Sequence, residues 1–123
     1  MPDPRHALGE RGEAAAAVWL EGRGWTILAR RWRCPSGELD LVAMDPDAVL
    51  VAIEVKLRRG ARAGDPLESV DRRRLSRLRV ALGRFRAELR AGSGAATRID
   101  LIAVRPAGEG LWRLTHHRSI DGW

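Results

Sequence analysis

A helix-forming segment lies between two strand-forming segments, and this order constrains the fold more than any other feature of the chain. Residues 71–90 repeat apolar side chains at intervals of three and four, and Asp71 is placed to cap the helix. The apolar positions are Leu75, Leu78, Leu82, Phe85 and Leu89. Residues 49–57 and 97–104, on either side, have strand character. A helical crossover allows these two strands to pair in parallel.

The N-terminal half predicts a helix followed by an antiparallel meander. Residues 8–23 are rich in alanine and end before Gly24, and we assign the apolar face of this helix to Leu8, Ala15, Val18 and Trp19. Strands are predicted over residues 25–33, 38–44 and 49–57, with turns at 35–37 and 45–47.

The complete order is α-β-β-β-α-β-β, with a fifth strand over residues 111–116. We therefore predict an α/β protein in which a central mixed β-sheet is flanked by α-helices. A chain of 123 residues suits a single domain, residues 1–123. Its core is expected at about residues 7–117, with a short C-terminal tail at 118–123.

Positive charge is concentrated in one third of the chain. The net charge is +6, and residues 54–90 hold twelve Lys/Arg against five Asp/Glu. Such concentration favours a polyanion as partner, nucleic acid above all, although a generic solvated basic surface is the alternative. The candidate contacts are Arg58, Arg59, Arg62, Arg72, Arg73, Arg74 and Arg77.

Lys56 is the one lysine in a chain that otherwise uses arginine for positive charge. Lysine is a compact point charge with an adjustable pKa, whereas arginine is a wide planar fork that stays protonated. Lys56 therefore marks a position that needs lysine specifically, unless it is a lysine that survived by chance on a surface strand. It follows Glu54 by two residues, a pattern that fits a metal-dependent phosphodiesterase site.

Alternation along two strands gathers acidic side chains on one face. Val51, Ile53 and Val55 alternate with Ala52, Glu54 and Lys56, and Leu39, Leu41 and Ala43 alternate with Glu38, Asp40 and Val42. If these strands form a hairpin around residues 45–47, Asp40 and Glu54 converge at the same end. Two carboxylates beside a lysine are costly without a cation, and Mg²⁺ or Mn²⁺ suits a site rich in oxygen.

The metal hypothesis gives each residue a role. Asp40, Glu54 and the carbonyl of Val55 would hold Mg²⁺ or Mn²⁺, and Glu13 would complete the set if the first helix lies near the strand ends. The metal would polarise a phosphate oxygen and activate a water, while Lys56 orients that water or stabilises charge in the transition state.

Each residue also has a plainer interpretation. Asp40 is then an exposed strand carboxylate, and Glu54 with Lys56 a surface ion pair that contributes little to stability. Glu13 is then a first-turn glutamate favoured by the helix dipole.

Other classes of protein are disfavoured by what the sequence lacks. No apolar run approaches the length that spans a bilayer, and the N-terminus has no signal-peptide pattern. The single cysteine, Cys34, excludes an internal disulfide, and no Cys/His cluster suggests zinc. His116 and His117 are adjacent on a predicted strand, so they point to opposite faces. We expect a cytoplasmic protein that does not act on membranes.

The chain resembles the YraN-type family of predicted endonucleases, within the restriction-endonuclease-like PD-(D/E)xK superfamily. It is also similar in layout to archaeal Holliday-junction resolvases. Four blocks carry the resemblance: residues 9–13 with Ala16, Leu20 and Gly24; residues 37–41; residues 53–56; and residues 98–101. The sequence departs from the family where Arg74 replaces a frequent lysine, Ala52 an aromatic residue and Arg31 an asparagine, and Leu39 replaces the superfamily's proline.

The resemblance implies a restriction-endonuclease-like fold and a metal site at Asp40, Glu54 and Lys56, with Glu13 supplied by the first helix. Asp100 is expected to be structural or to support the site. Resolvases act as symmetric dimers, so the resemblance also suggests a homodimer. Its interface would be either the apolar stripe of residues 75–89 or the C-terminal tail.

The expected function is that of a metal-dependent endonuclease hydrolysing DNA phosphodiester bonds, with branched or structured DNA suggested by the resolvases. The first alternative is a nucleic-acid-binding module that has the fold without catalysis. The second is an interaction protein with an incidental basic face.

Overall fold

The computed structural model describes residues 4–59, 64–89 and 95–122. Its helices are α1 (Pro4–Glu21) and α2 (Arg72–Glu88), with a short 3-10 turn at Pro66–Ser69. Its strands are β1 (Thr26–Cys34), β2 (Gly37–Met44), β3 (Leu50–Leu57), β4 (Thr97–Pro106) and β5 (Trp112–His117). The predicted order α-β-β-β-α-β-β is confirmed. Arg62 and the predicted end of the second helix at residue 90 lie outside the described residues.

Within the described residues the strands form one mixed sheet in the order β1-β2-β3-β4-β5. The first three are antiparallel neighbours, and β5 is antiparallel to β4. β3 and β4 are parallel, in register from Leu50 opposite Thr97 to Leu57 opposite Val104. The helical crossover through α2 therefore joins two parallel strands, as the sequence predicted. Its N-cap is also as predicted, since the Asp71 side chain accepts a hydrogen bond from the Arg74 amide at 2.8 Å.

The two helices cover opposite faces of the sheet. α1 packs on a cluster that includes Leu41, Ala43, Val51, Ile53, Ile102 and Val104. α2 packs on a cluster that includes Leu39, Val42, Leu50, Ala52 and Ile99. Because β3 contributes side chains to both clusters, it is buried on both faces. No helix in the described part of the chain is long and apolar enough to cross a membrane.

The face that α1 buries matches the predicted apolar face only in part, since Trp19 packs against the core but Val18 does not. Gly12, Ala16, Ala17 and Leu20 are buried against the sheet, whereas Val18 is 65% exposed. Small side chains let the helix axis approach the sheet closely, and an alanine-rich helix gives little contrast between its faces.

A buried network ties β4 to β5 and to the turn after β2. The fully buried Asp100 accepts hydrogen bonds from Arg98 Nε at 2.8 Å and from the Ser119 amide at 3.0 Å, and His116 Nε2 lies 2.8 Å away. Arg98 also donates to Asp45 at 3.0 Å. Burial by itself would raise the pKa of Asp100, but hydrogen bonds from His116 and Arg98 hold it below the ordinary value. Asp100 is thus a structural residue.

We predict that Gly12→Ala destabilises the fold while Gly9→Ala does not. A Cβ at Gly12 would lie 2.8 Å from Val104 Cγ2, and Val104 is fully buried. Overpacking of this kind costs about 1–3 kcal/mol, against about 1 kcal/mol of gained helix propensity. A Cβ at Gly9 would meet nothing within 4 Å, so only the helix propensity changes there. Urea denaturation of both variants measures the difference, and equal stabilisation by both would contradict the close helix–sheet contact.

Candidate active site

The candidate site lies where β2 and β3 separate. The two strands pair from Met44 opposite Leu50 to Leu41 opposite Ile53, and Asp40 is the next residue of β2. There the Val55 amide donates a hydrogen bond to Asp40 Oδ2 at 2.9 Å. A side-chain carboxylate thus takes the place of a backbone acceptor, which draws Asp40 into the gap between the strands.

The β1–β2 ribbon changes face at the same place. Leu41 packs on the α1 side and Val42 on the α2 side, as alternation requires, but Leu39 also packs on the α2 side. The prediction that Leu39 shares a face with Leu41 is therefore wrong. On β1, Arg31 lies between the residues paired with Leu41 and Leu39 and has a φ of 49°. A non-glycine residue in this region marks a local twist, and it occurs directly opposite Asp40.

Asp40 is held partly in its protonated form. Burial raises its pKa to about 7, and the negative charge of Glu54 and a hydrogen bond to that carboxylate add to the effect. The Val55 amide acts in the opposite direction, and Glu13 adds a smaller repulsion. The structure thus brings Asp40 and Glu54 together, as the hairpin argument predicted.

Glu54 is almost completely buried and is held by two cations. Arg74 Nη2 lies 3.1 Å from each carboxylate oxygen, and Lys56 Nζ lies 3.4 Å from Oε1. The exposed fractions of the Lys56 and Glu54 side chains are 27% and 2%. Arg74 was predicted as a phosphate contact, but in this structure it binds Glu54. Sequence reasoning missed that role because it depends on how α2 packs over β3.

Glu13 approaches the site from α1 but points its carboxylate at an arginine. Its Oε2 accepts a hydrogen bond from Arg31 Nε at 3.0 Å, and Arg31 also binds Glu10 at 3.0 Å. Arg31 is thus both the strained residue opposite Asp40 and the partner of Glu13. The resemblance gave a hint, because asparagine, which the family carries here, tolerates positive φ better than arginine.

The donor groups fit a hard divalent cation only in part. Asp40 and Glu54 supply carboxylate oxygens, and the carbonyl of Val55 points to the same side of β3 as its amide, towards β2. Among the described residues, no three His, Cys, Asp or Glu side chains are grouped in a way that could hold a metal ion. Glu13 would have to leave Arg31 to act as a third acidic ligand. The residues therefore offer an oxygen-rich pair with one carbonyl.

Most of the predicted nucleic-acid contacts are accessible. Arg59, Arg72, Arg73 and Arg77 are exposed, and Arg58 is half-buried at the end of β3. Arg72 and Arg73 form the first turn of α2, just before Arg74. A basic surface therefore begins within one helical turn of the residue that holds Glu54.

Comparison with known proteins finds a family match that spans the residues of this site. A sequence model of the uncharacterised protein family UPF0102 matches residues 12–104, which include Glu13, Asp40, Glu54 and Lys56. A UPF0102 protein of Beutenbergia cavernae is 43% identical over 116 residues, covering 94% of this chain and 97% of its own length. One of Acidothermus cellulolyticus is 52% identical over 96 residues, covering 78% and 68%. One of Pelotomaculum thermopropionicum is 43% identical over 120 residues, covering 97% and 98%.

The raised pKa of Asp40 predicts a particular dependence of stability on pH. Between the ordinary pKa of 3.8 and about 7, the folded state keeps a proton that the unfolded chain has released. The contribution of Asp40 is therefore present at low pH and is lost as the pH rises through 7. The free energy of unfolding should fall by up to about 1.4 kcal/mol per pH unit in this range.

Asp40→Asn should remove this slope, so its stability relative to the wild type rises from pH 4 to pH 8. Urea denaturation in a chelating buffer gives the two curves. Asp47→Asn, at an exposed carboxylate, is the control and should run parallel to the wild type. Parallel curves for Asp40→Asn would show that Asp40 is ionised normally.

Proposed function

The chain belongs to the uncharacterised protein family UPF0102, and we propose that it is a divalent-metal-dependent endonuclease that hydrolyses phosphodiester bonds of DNA. One observation carries the proposal: Asp40 and Glu54 are buried together where β2 and β3 separate, with Lys56 beside Glu54. Two carboxyl groups are held in contact here, and burial increases the cost of charging both. Sites of this kind are typical of functional rather than structural positions.

Asp40, Glu54 and the Val55 carbonyl would hold Mg²⁺ or Mn²⁺, with Glu13 within electrostatic reach of Asp40. When bound, the metal would polarise a phosphate oxygen and lower the pKa of an attacking water. The chain's own part is to fix the two carboxylates. The Val55 amide holds Asp40, and Arg74 holds Glu54 by both oxygens.

Lys56 supplies the positive charge on the open side of the site. Its ammonium is partly exposed and lies 3.4 Å from Glu54, so it can donate to a phosphate oxygen without leaving the site. A compact ammonium suits this position between a buried carboxylate and an incoming phosphate better than a planar guanidinium. Lys56 would thereby stabilise the charge that develops on the phosphate in the transition state.

DNA is the proposed substrate because the basic surface continues from the site along α2 and the end of β3. Arg59, Arg72, Arg73 and Arg77 present exposed guanidinium groups that would bind backbone phosphates. The preference for branched or structured DNA follows from the resemblance to resolvases.

A nucleic-acid-binding module without catalysis is the second candidate. The observation that favours it is the double ion pair of Glu54, because Arg74 and Lys56 already balance its charge. In that case Glu54 needs no metal, and Asp40 is partly protonated near neutral pH. DNA binding would then be independent of divalent ions.

Cleavage of a labelled DNA panel separates the two candidates. Duplex, single strand, flap and four-way junction are incubated with Mg²⁺, Mn²⁺ or chelator, beside Asp40→Asn purified identically. We expect metal-dependent cutting that falls by more than about 100-fold in Asp40→Asn, the scale of losing one group that stabilises the transition state. Asparagine keeps an oxygen for the Val55 amide, so the fold should be retained. Binding without cutting by either protein would favour the module, and equal cutting by both would indicate a contaminant.

Substitution of Lys56 tests the need for lysine at this position. Lys56→Arg preserves the charge and Lys56→Ala removes it, and we expect both to lose cutting by about 100-fold or more. DNA affinity measured in chelator should change little for Lys56→Arg. Turnover like that of the wild type in Lys56→Ala would rule out a catalytic role for Lys56.

A further inference from the structure

The face of the sheet that carries Glu54 and Lys56 continues across β4 and β5. Lys56 lies beside Ala103 in the parallel ladder, and Ala103 lies beside Thr115 in the antiparallel one. In the same way Glu54 lies beside Leu101 in the parallel ladder, and Leu101 lies beside His117 in the antiparallel one. Strand residues that stand side by side in this way project from the same face. Thr115 and His117 are therefore on the face of the candidate active site.

Three arginines extend this face beyond Lys56, Ala103 and Thr115. The Arg58 amide donates to the Val104 carbonyl at 2.9 Å, which extends the β3–β4 ladder beyond Leu57. Arg105, the next residue of β4, pairs with Arg113 of β5. Arg58 follows Lys56 by two residues, so it lies roughly 6.6 Å further along the strand direction.

These side chains line a pocket of about 260 Å³. Its lining residues are Arg58, Pro66, Ala103, Arg105, Arg113, Thr115 and His117. Three of them are arginines and none is acidic, so the pocket has a positive potential. The pocket is concave, whereas the exposed arginines of α2 lie on the surface of a helix.

Arg58 carries a buried donor that no described residue satisfies. Among the buried side-chain nitrogen and oxygen atoms of the described residues, its Nε is one of two without a hydrogen-bond partner, the other being Asp121 Oδ1. An unsatisfied buried donor on a charged group is costly, and an anionic oxygen in the pocket would satisfy it. This observation points to a ligand rather than to a merely solvated surface.

We propose that this pocket binds a backbone phosphate of the nucleic acid, next to the phosphate that is cleaved beside Lys56. The inference rests on the proposed function for the identity of the ligand. Arginine forks suit the oxygens of a phosphodiester, and Thr115 adds a hydroxyl donor. β5 is thereby part of the substrate-binding surface and sets where a strand lies relative to Asp40 and Glu54.

Arg113→Ala in an Asp40→Asn background tests the pocket by binding alone. Arg113 is exposed on β5, so its removal should leave the fold intact, which thermal denaturation checks. Arg84→Ala is the matched control, because it removes one exposed arginine from the C-terminal half of α2. Affinity for labelled duplex and four-way junction is measured in chelator across a range of NaCl concentrations.

We expect Arg113→Ala to weaken binding by about tenfold, and the slope of log affinity against log salt to fall by about 0.9 on duplex. Arg113→Lys should recover part of the affinity, and Arg84→Ala should change it less than Arg113→Ala. Affinity and slope equal to those of the Arg84→Ala control would overturn the proposal. Loss of inorganic phosphate binding with unchanged DNA affinity would also overturn it, since the pocket would then serve a free anion.

The two proposals can fail separately. If the wild type cuts DNA and Arg113→Ala binds it normally, the nuclease stands and the pocket does not. If the wild type binds without cutting and Arg113→Ala loses affinity, the pocket stands and the catalytic function does not. If the wild type binds no DNA at any salt concentration, both are wrong.

Discussion

Two buried carboxylates that repel each other, Asp40 and Glu54, are the constraint around which the site is arranged. Charging both groups in this buried position is costly unless neighbouring groups compensate. Glu54 receives that help from Arg74 and Lys56, whereas Asp40 receives one backbone amide and a raised pKa. The difference divides the pair into a carboxylate that two cations hold and one whose pKa burial raises.

The strands and the pairing of acidic residues could be predicted because they follow from local alternation and from the crossover. Predicting that Asp40, Glu54 and Lys56 lie together required only the two-residue alternation of a strand and a hairpin. The role of Arg74 could not be predicted, since it depends on the rotation of α2 over β3. The buried face of α1 was predicted only in part for a related reason. The alanines at 14–17 make the spacing of apolar residues along the helix almost uninformative.

Leu39 shows where alternation itself fails. The β1–β2 ribbon twists between Arg31 and Asp40, so the residues before and after that point follow different face assignments. A positive φ at Arg31 is the backbone cost of this twist, and it is located at the site rather than in the rest of the strand. Departures from simple sequence rules are expected at functional positions, and this one coincides with the gap that receives Asp40.

The parallel pairing of β3 with β4 has a consequence for how the molecule assembles. β2 and β3 are joined by a short turn, so their hairpin closes a small loop, whereas β3 and β4 are separated in the chain by α2 and its flanking segments. Closing the larger loop is entropically slower, and parallel pairs form late in folding when they are this far apart. We therefore expect the β2–β3 hairpin, which carries Asp40, Glu54 and Lys56, to form before α2 brings Arg74 to Glu54. Lys56 would then be the first cation beside Glu54, and Arg74 the second.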